Sequence, residues 1–347
     1  RCNMVDRCNR LMEAVRVEGV DAVLITSRIN RMYFSGFTGS DGILFISPGR
    51  RVLITDFRYT IQANIQCKGT FEVLEASRSA VMDIIKDELS RIGARHVGFE
   101  DAELTVRQYN QFKELGAEFV PCSNFMAKIR VRKDKDEIEH IIKAQNAADA
   151  AFAELVKRIK PGMSELEVAN ELEYLMKKHG AEDKSFDTIV GSGENGALCH
   201  AVPGNRKLRH GDMVVLDFGC KVNGYCSDMT RTIAMGTPCG ELMKIYGIVR
   251  EAQRLALEGL KPGRDIDALA RNYIASHGYG DNFGHSLGHG FGLEVHEAPG
   301  ASTVSSDVFE PGMTITVEPG IYIEGLGGVR IEDCCIITDN GYINPVT

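Results

Sequence analysis

The stretch KPGMSELEVANELEYLMKKHG from Lys160 recurs as KPGRDIDALARNYIASHG from Lys261. This internal repeat constrains the fold more than any other feature of the chain. Each copy reads as a Pro-Gly stop followed by a helix that ends at His-Gly. Ser164 and Glu167 spell a capping box in the first copy, and Asp265 is the corresponding cap in the second. Downstream, GDMVVLDFG from Gly211 and PGMTITVEPG from Pro311 alternate alike, with Asp217 where Glu318 stands. A duplicated helix-plus-hairpin unit brings two equivalent carboxylates close to a pseudo-two-fold axis.

The first hairpin follows from turn chemistry. Asn223-Gly224 joins MVVLDFG to YCSDMTRTIAMG, and Asn-Gly is the strongest short hairpin signal. With these two at the centre of the turn, Val222 pairs with Tyr225, Asp217 lies opposite Thr230, and Asp228 lies opposite Gly219. The two aspartates then share a face as diagonal neighbours, roughly 7–8 Å apart at the backbone. That spacing suits two carboxylates reaching around a pair of cations about 3.5–4 Å apart. The second hairpin carries Glu318 and, on its returning strand GVRIED, Glu332. Between the hairpins runs HSLGHGFGLEVHE, with His285, His289 and His296 among glycines that permit close approach. Four carboxylates with an imidazole make an oxygen-rich donor set, which favours Mn²⁺ or a similar ion over structural zinc.

The rest of the chain frames this centre. A length of 347 residues exceeds what one core accommodates, so two domains are expected. Residues 1–125 alternate β-branched runs (DAVLIT, GILFIS, RVLIT) with helical stretches such as SAVMDIIKDELSRI, an α/β pattern. A second domain, 126–347, opens with a long helix. Its stripe of Ile138, Ile141, Ile142, Phe152, Leu155, Val156 and Ile159 is expected to run to the stop at Pro161-Gly162. A charge of -8, mixed along the chain, leaves no basic stripe for nucleic acid. No apolar run approaches the roughly 20 residues of a membrane span. The N-terminal residues lack the order of a secretory signal, so a soluble cytoplasmic protein is expected. The ten cysteines are scattered, with no Cys-x-x-Cys. Adjacent Cys334 and Cys335 point to opposite faces of a strand, which reads as reduced thiols rather than zinc ligands. GSGENG, from Gly191 to Gly196, fits a dinucleotide fingerprint by letter, but Pro203-Gly204 leaves no room for the helix that fingerprint requires.

Taken together, YFSGFTGSDG, LITDFRYTIQA, VRKDKDEIE, LDFG, SDMTRT, GHGFGLEVHE, VEPG and GVRIED resemble the pita-bread metallopeptidases over nearly the whole chain. That family comprises Xaa-Pro aminopeptidases, Xaa-Pro dipeptidases and methionine aminopeptidases, with creatinase as a relative without metal. The resemblance implies a creatinase-like N-terminal α/β domain and a pita-bread catalytic domain. It implies that Asp217, Asp228, His289, Glu318 and Glu332 hold two divalent metal ions, Mn²⁺ first, with Co²⁺ or Zn²⁺ as alternatives. It also implies that His200 and His296 face the substrate, that His285 lines the pocket, and that Arg330 supports a carboxylate ligand.

The expected activity is hydrolysis of the bond before a proline at position two of a peptide. Two cations would acidify a bridging water, Glu318 would shuttle its proton, and His296 would stabilise the tetrahedral oxygen. GFTGS and TDFRYTIQA resemble aminopeptidase P. Prolidases commonly carry an arginine after His-Glu-x-Pro, where this chain has Gly300. Xaa-Pro aminopeptidase is therefore the first expectation and Xaa-Pro dipeptidase the second. A metal-free peptide-binding protein is the reading outside enzymes, disfavoured because no ligand is lost. The resemblance further implies a homodimer.

Overall fold

The computed structural model describes residues 2–263 and 266–346. Asp265, the expected cap of the second repeat's helix, lies outside the described residues. One compact unit ends at Arg130 and a second begins at Val131, within the helix Ser123–Val131 and five residues past the boundary read from composition.

The first unit is a six-stranded mixed sheet. Its strands are β1 (Ala22–Ile25), β2 (Ile43–Ser47), β3 (Arg50–Thr55), β4 (Glu72–Glu75), β5 (His96–Phe99) and β6 (Glu118–Pro121), in the order β4-β3-β2-β1-β5-β6. The three β-branched runs became β1, β2 and β3. They pair antiparallel, whereas β4, β5 and β6 join in parallel. Parallel neighbours need crossovers: helix Thr60–Gln66 lies between β3 and β4 and helix Val106–Lys113 between β5 and β6, while the expected helix Val81–Ile92 connects β4 to β5 at the other side of the sheet. It ends at Gly93, whose φ of 67° is a left-handed value that suits glycine.

The second unit holds the repeat. Helix Lys135–Leu155 packs on helix Glu165–Lys178, and helix Gly240–Gly259 packs on helix Asp267–Ser276. Each pair covers its own apolar core. One is built on Leu155, Leu172, Leu175, Val214, Leu216 and Phe218. The other is built on Ile245, Val249, Ile274, Ile315, Val317 and Ile337. Ser164 and Glu167 form the expected capping box, and Gly180 and Gly278 end the repeat helices with positive φ. The first long helix is shorter than its apolar stripe: it stops at Leu155, and residues 156–158 form a turn. Periodicity misleads here because Ile159 still packs on the same core from beyond the turn, while Val156 is exposed. GSGENG begins in the last two residues of strand Ile189–Ser192 and continues into a 3₁₀ turn, Gly193–Ala197, instead of an α-helix. No described helix is long and apolar enough to cross a membrane.

Candidate metal centre

The Asn-Gly hairpin has the register expected of it. Asn223 (φ 49°) and Gly224 (φ 79°) both lie in the left-handed region, as a two-residue turn matched to strand twist requires. Val222 pairs with Tyr225, and Asp217 with Thr230. The second hairpin differs in one respect. Val317 pairs with Asp333 and Gly320 with Arg330, so Glu318 and Glu332 stand directly opposite each other instead of diagonally.

His289 is brought between the hairpins on a short strand, Gly288–Gly290, whose neighbours must be glycine. A Cβ at Gly288 would sit 1.8 Å from the Thr316 carbonyl oxygen, and one at Gly290 would sit 2.2 Å from that of Ala298. The His289 amide donates to Thr316 Oγ1 at 3.0 Å, and its Nδ1 faces the Gly290 carbonyl at 3.1 Å. A proton on Nδ1 leaves Nε2 turned to Glu318 Oε1 (3.3 Å) and Asp228 Oδ2 (3.6 Å). One donor atom each from Asp228, His289 and Glu332 lies within 4.8 Å of the others.

Charge crowding is the main property of this cluster. Asp228 and Glu332 are 4 % and 1 % exposed. Burial pushes both well above the usual carboxylate range, and the neighbouring carboxylates push them further. Burial also raises Asp217, against the pull of Arg330. Burial would raise Glu318 too, but the hydrogen bond and charge of His289, with His285 and Arg330 behind them, together hold it low. His289 is raised: burial opposes its charge, and Glu318 overcomes the opposition. Asp217 Oδ1 is buried without a hydrogen-bond partner. A buried oxygen with nothing to accept from, among carboxylates that repel one another, fits a site for hard divalent cations.

Arg330 ties the cluster to the pocket wall. It is 3 % exposed and donates from Nη2 to Asp217 Oδ2 (2.7 Å), from Nε to Thr230 Oγ1 (3.1 Å) and from Nη1 to Tyr322 Oη (2.8 Å). Thr230 in turn donates to Glu332 Oε2 at 2.7 Å. Having accepted from Arg330, Tyr322 has its own proton for His285 Nε2 at 2.9 Å, while His285 Nδ1 faces the Ser286 carbonyl at 2.8 Å. His285 is thereby held neutral, and burial lowers its pKa. Arg330→Lys keeps the charge and loses the planar fork. Activity is expected to fall about 10- to 100-fold with the circular dichroism spectrum unchanged; steady-state rates within twofold of wild type would contradict this.

A cavity of about 720 Å³ is lined by every residue singled out in the sequence: His200, Asp217, Asp228, His285, His289, His296, Glu318, Arg330 and Glu332. The His289 and His296 rings lie 4.3 Å apart between centroids. Burial lowers the pKa of His296, and so does the neighbouring His289. Sequence reasoning missed Tyr322, Thr230 and Thr316 as members of the site. Tyr322 was accessible by strand alternation, four residues after Glu318 on the same face. Thr230 was placed opposite Asp217, but its bond to Glu332 depends on the two hairpins meeting.

Comparison with known proteins fits this arrangement. Residues 139–339 match the model of metallopeptidase family M24, and residues 7–132 match the creatinase/prolidase N-terminal domain. A solved Xaa-Pro dipeptidase from Bacillus anthracis superposes with a TM-score of 0.96 at 46 % identity, covering 99 % of this chain and 98 % of that one. An X-Pro aminopeptidase from Thermotoga maritima MSB8 gives a TM-score of 0.91 at 38 % identity, over 96 % and 97 %. The Xaa-Pro dipeptidase of Pyrococcus furiosus is 40 % identical over 348 aligned positions, 97 % of each chain. The two-part architecture, creatinase-like domain followed by pita-bread domain, is thus the one expected, and the chain belongs to metallopeptidase family M24.

Proposed function

We propose that this protein is a dinuclear Xaa-Pro dipeptidase, with Asp217, Asp228, His289, Glu318 and Glu332 as metal ligands and Mn²⁺ as the preferred ion. The observation that carries the metal chemistry is the convergence of four carboxylates and His289 on one cavity that also holds three further histidines. Two divalent cations there would supply Lewis-acid polarisation of the peptide carbonyl and an acidified water as nucleophile.

The protein's own groups do the rest. Thr316 Oγ1 donates to Oε1 of Glu318 at 3.2 Å; with one oxygen of this carboxylate turned to the metals, the other would take the proton of the attacking water and pass it to the proline nitrogen. Neutral His296 donates to the oxygen that becomes negative. His200 holds the substrate from the opposite loop, and His285, with both nitrogens engaged, serves as a fixed wall. His296→Ala is expected to lower kcat on the order of 10²- to 10³-fold with metal content intact. Near-normal turnover at full metal loading would defeat the assignment.

The dipeptidase reading replaces the aminopeptidase as first choice because the dipeptidase name recurs among relatives similar over their full length. The aminopeptidase stays as second reading on one observation. Gly300 pairs with His289 across the strands, and cross-strand partners share a face. A Cβ there would meet only ordinary contacts, the nearest being Ser305 Oγ at 3.5 Å. No arginine stands at that place to hold a dipeptide's carboxylate. Comparing hydrolysis of Xaa-Pro with Xaa-Pro-Yaa decides the matter: preference for the tripeptide would overturn the dipeptidase. We place the enzyme in the cytoplasm as a homodimer; light scattering on the purified protein tests the latter.

A further inference from the structure

We propose that Glu165 is a positioning residue, its buried carboxylate closing the neck of the loop Ser192–Gly204 and so setting where His200 sits over the cavity. The proposal rests on reading His200 as substrate-facing.

Glu165 is the first residue of helix Glu165–Lys178, and only 1 % of it is exposed. Its Oε1 accepts from the Ser192 amide (2.8 Å), Ser192 Oγ (2.7 Å) and Asn195 Nδ2 (3.0 Å). Its Oε2 accepts from Asn195 Nδ2 (3.2 Å) and the Gly204 amide (3.3 Å). One carboxylate therefore gathers donors from both ends of the loop. Backbone bonds run alongside, from the Leu166 amide to the Gly204 carbonyl and from the Glu165 amide to that of Arg206. Because Ser192 Oγ donates to Glu165, it accepts from Arg206 Nη1 at 2.7 Å, and Arg206 also forks onto Asp212. The buried negative charge is answered through that hydroxyl.

The tip of the loop, residues 199–203, lines the cavity. Its other tether is the Cys199 carbonyl, which accepts from Arg330 Nη1 at 3.3 Å. Among the described residues no hydrogen bond holds the His200 ring itself. The placement of that ring is therefore inherited from the loop backbone, and the loop backbone is set by Glu165. A carboxylate that serves only the helix would not need partners spread over Ser192, Asn195 and Gly204.

Glu165→Gln replaces one acceptor oxygen with an amide that faces donors. With metal content equal to wild type, we expect kcat/KM to fall about 10- to 100-fold, the scale of a misplaced contact group. Amide exchange over 192–206 should quicken while that of helix Gly240–Gly259 stays unchanged. Asn195→Ala, which removes one side-chain donor and leaves the charge, should quicken loop exchange to a smaller degree. The deciding measurement is the double variant Glu165→Gln/His200→Ala, which should be no slower than His200→Ala alone. Additive losses, or unchanged loop exchange in both Glu165→Gln and Asn195→Ala, would overturn the proposal. Full activity of His200→Ala would instead sink the reading of His200, and loop exchange would still judge the clamp.

Discussion

Asp228→Asn is expected to slow peptide hydrolysis about 10³-fold, roughly 4 kcal/mol of transition-state stabilisation, while making the chelated protein more stable. Asp228 is buried with Glu332, Asp217 and Glu318 around it, and its folded-state pKa is raised, first by burial and then by those charges. A carboxyl whose folded pKa is raised keeps its proton in the native state after the unfolded chain has lost it. Native protein then binds more protons than unfolded protein, and stability falls as pH rises. Without metal, wild type and Asp228→Asn should melt together below the ordinary carboxylate range, where both side chains are neutral. The gap should open as pH climbs from about 4, with the variant ahead by at least about 2–4 °C, the equivalent of 1 kcal/mol in a unit of this size. Adding Mn²⁺ should reverse the order, since a ligand bound only by the native state at about 100 times its Kd contributes near 2.7 kcal/mol. Melting curves with chelator and with Mn²⁺ across this pH range check both signs. A variant less stable than wild type in chelator at neutral pH would refute the charge-crowding account.

Lys133→Met should be the most damaging change away from the cluster. Lys133 Nζ lies 3.1 Å from Glu297 Oε2, with side chains only 1 % and 6 % exposed. Gly292 makes room for the pair, since a Cβ there would stand 2.9 Å from Lys133 Cε and 3.1 Å from Glu297 Oε2. Lys133 Nζ also donates to the Val131 carbonyl, and its amide donates to that of Gly312. Removing one member of a buried pair costs about 3–5 kcal/mol because the other charge stays in low dielectric. A melting temperature lower by about 6–20 °C follows at this size. Lys133→Met/Glu297→Gln should recover a large part of the loss, because no buried charge is left over. Glu297 follows His296 in the chain, so the single variant should also raise KM. Thermal melts showing less than 1 kcal/mol lost in the single variant would show that the pair is not stabilising.

What could be read in advance divides along contact range. The Asn223-Gly224 turn determines the register out to Asp217 and Thr230 by local rules alone, and the structure has that register. The capping box at Ser164 and Glu167 is equally local. The helix end at Leu155 was misplaced because an apolar stripe records which side chains reach the core, and Ile159 reaches it from outside the helix. The nine expected residues share one cavity, but their wiring was not legible. The bonds from Thr230 to Glu332 and from Arg330 to Asp217 join hairpins about a hundred residues apart. Glu165 was passed over because a glutamate in the first turn of a helix already has a local explanation, and its loop partners arrive 27 to 39 residues later.

The division of the donor groups between two duplicated halves has a consequence during synthesis. Asp217 and Asp228 leave the ribosome about a hundred residues before Glu318 and Glu332, and the first half has an apolar core of its own to collapse upon. A nascent chain that ends before Glu332 can therefore hold folded structure but not the whole of the proposed donor set. On the proposed ligand set, a chain still lacking the second hairpin has no complete site to load with metal.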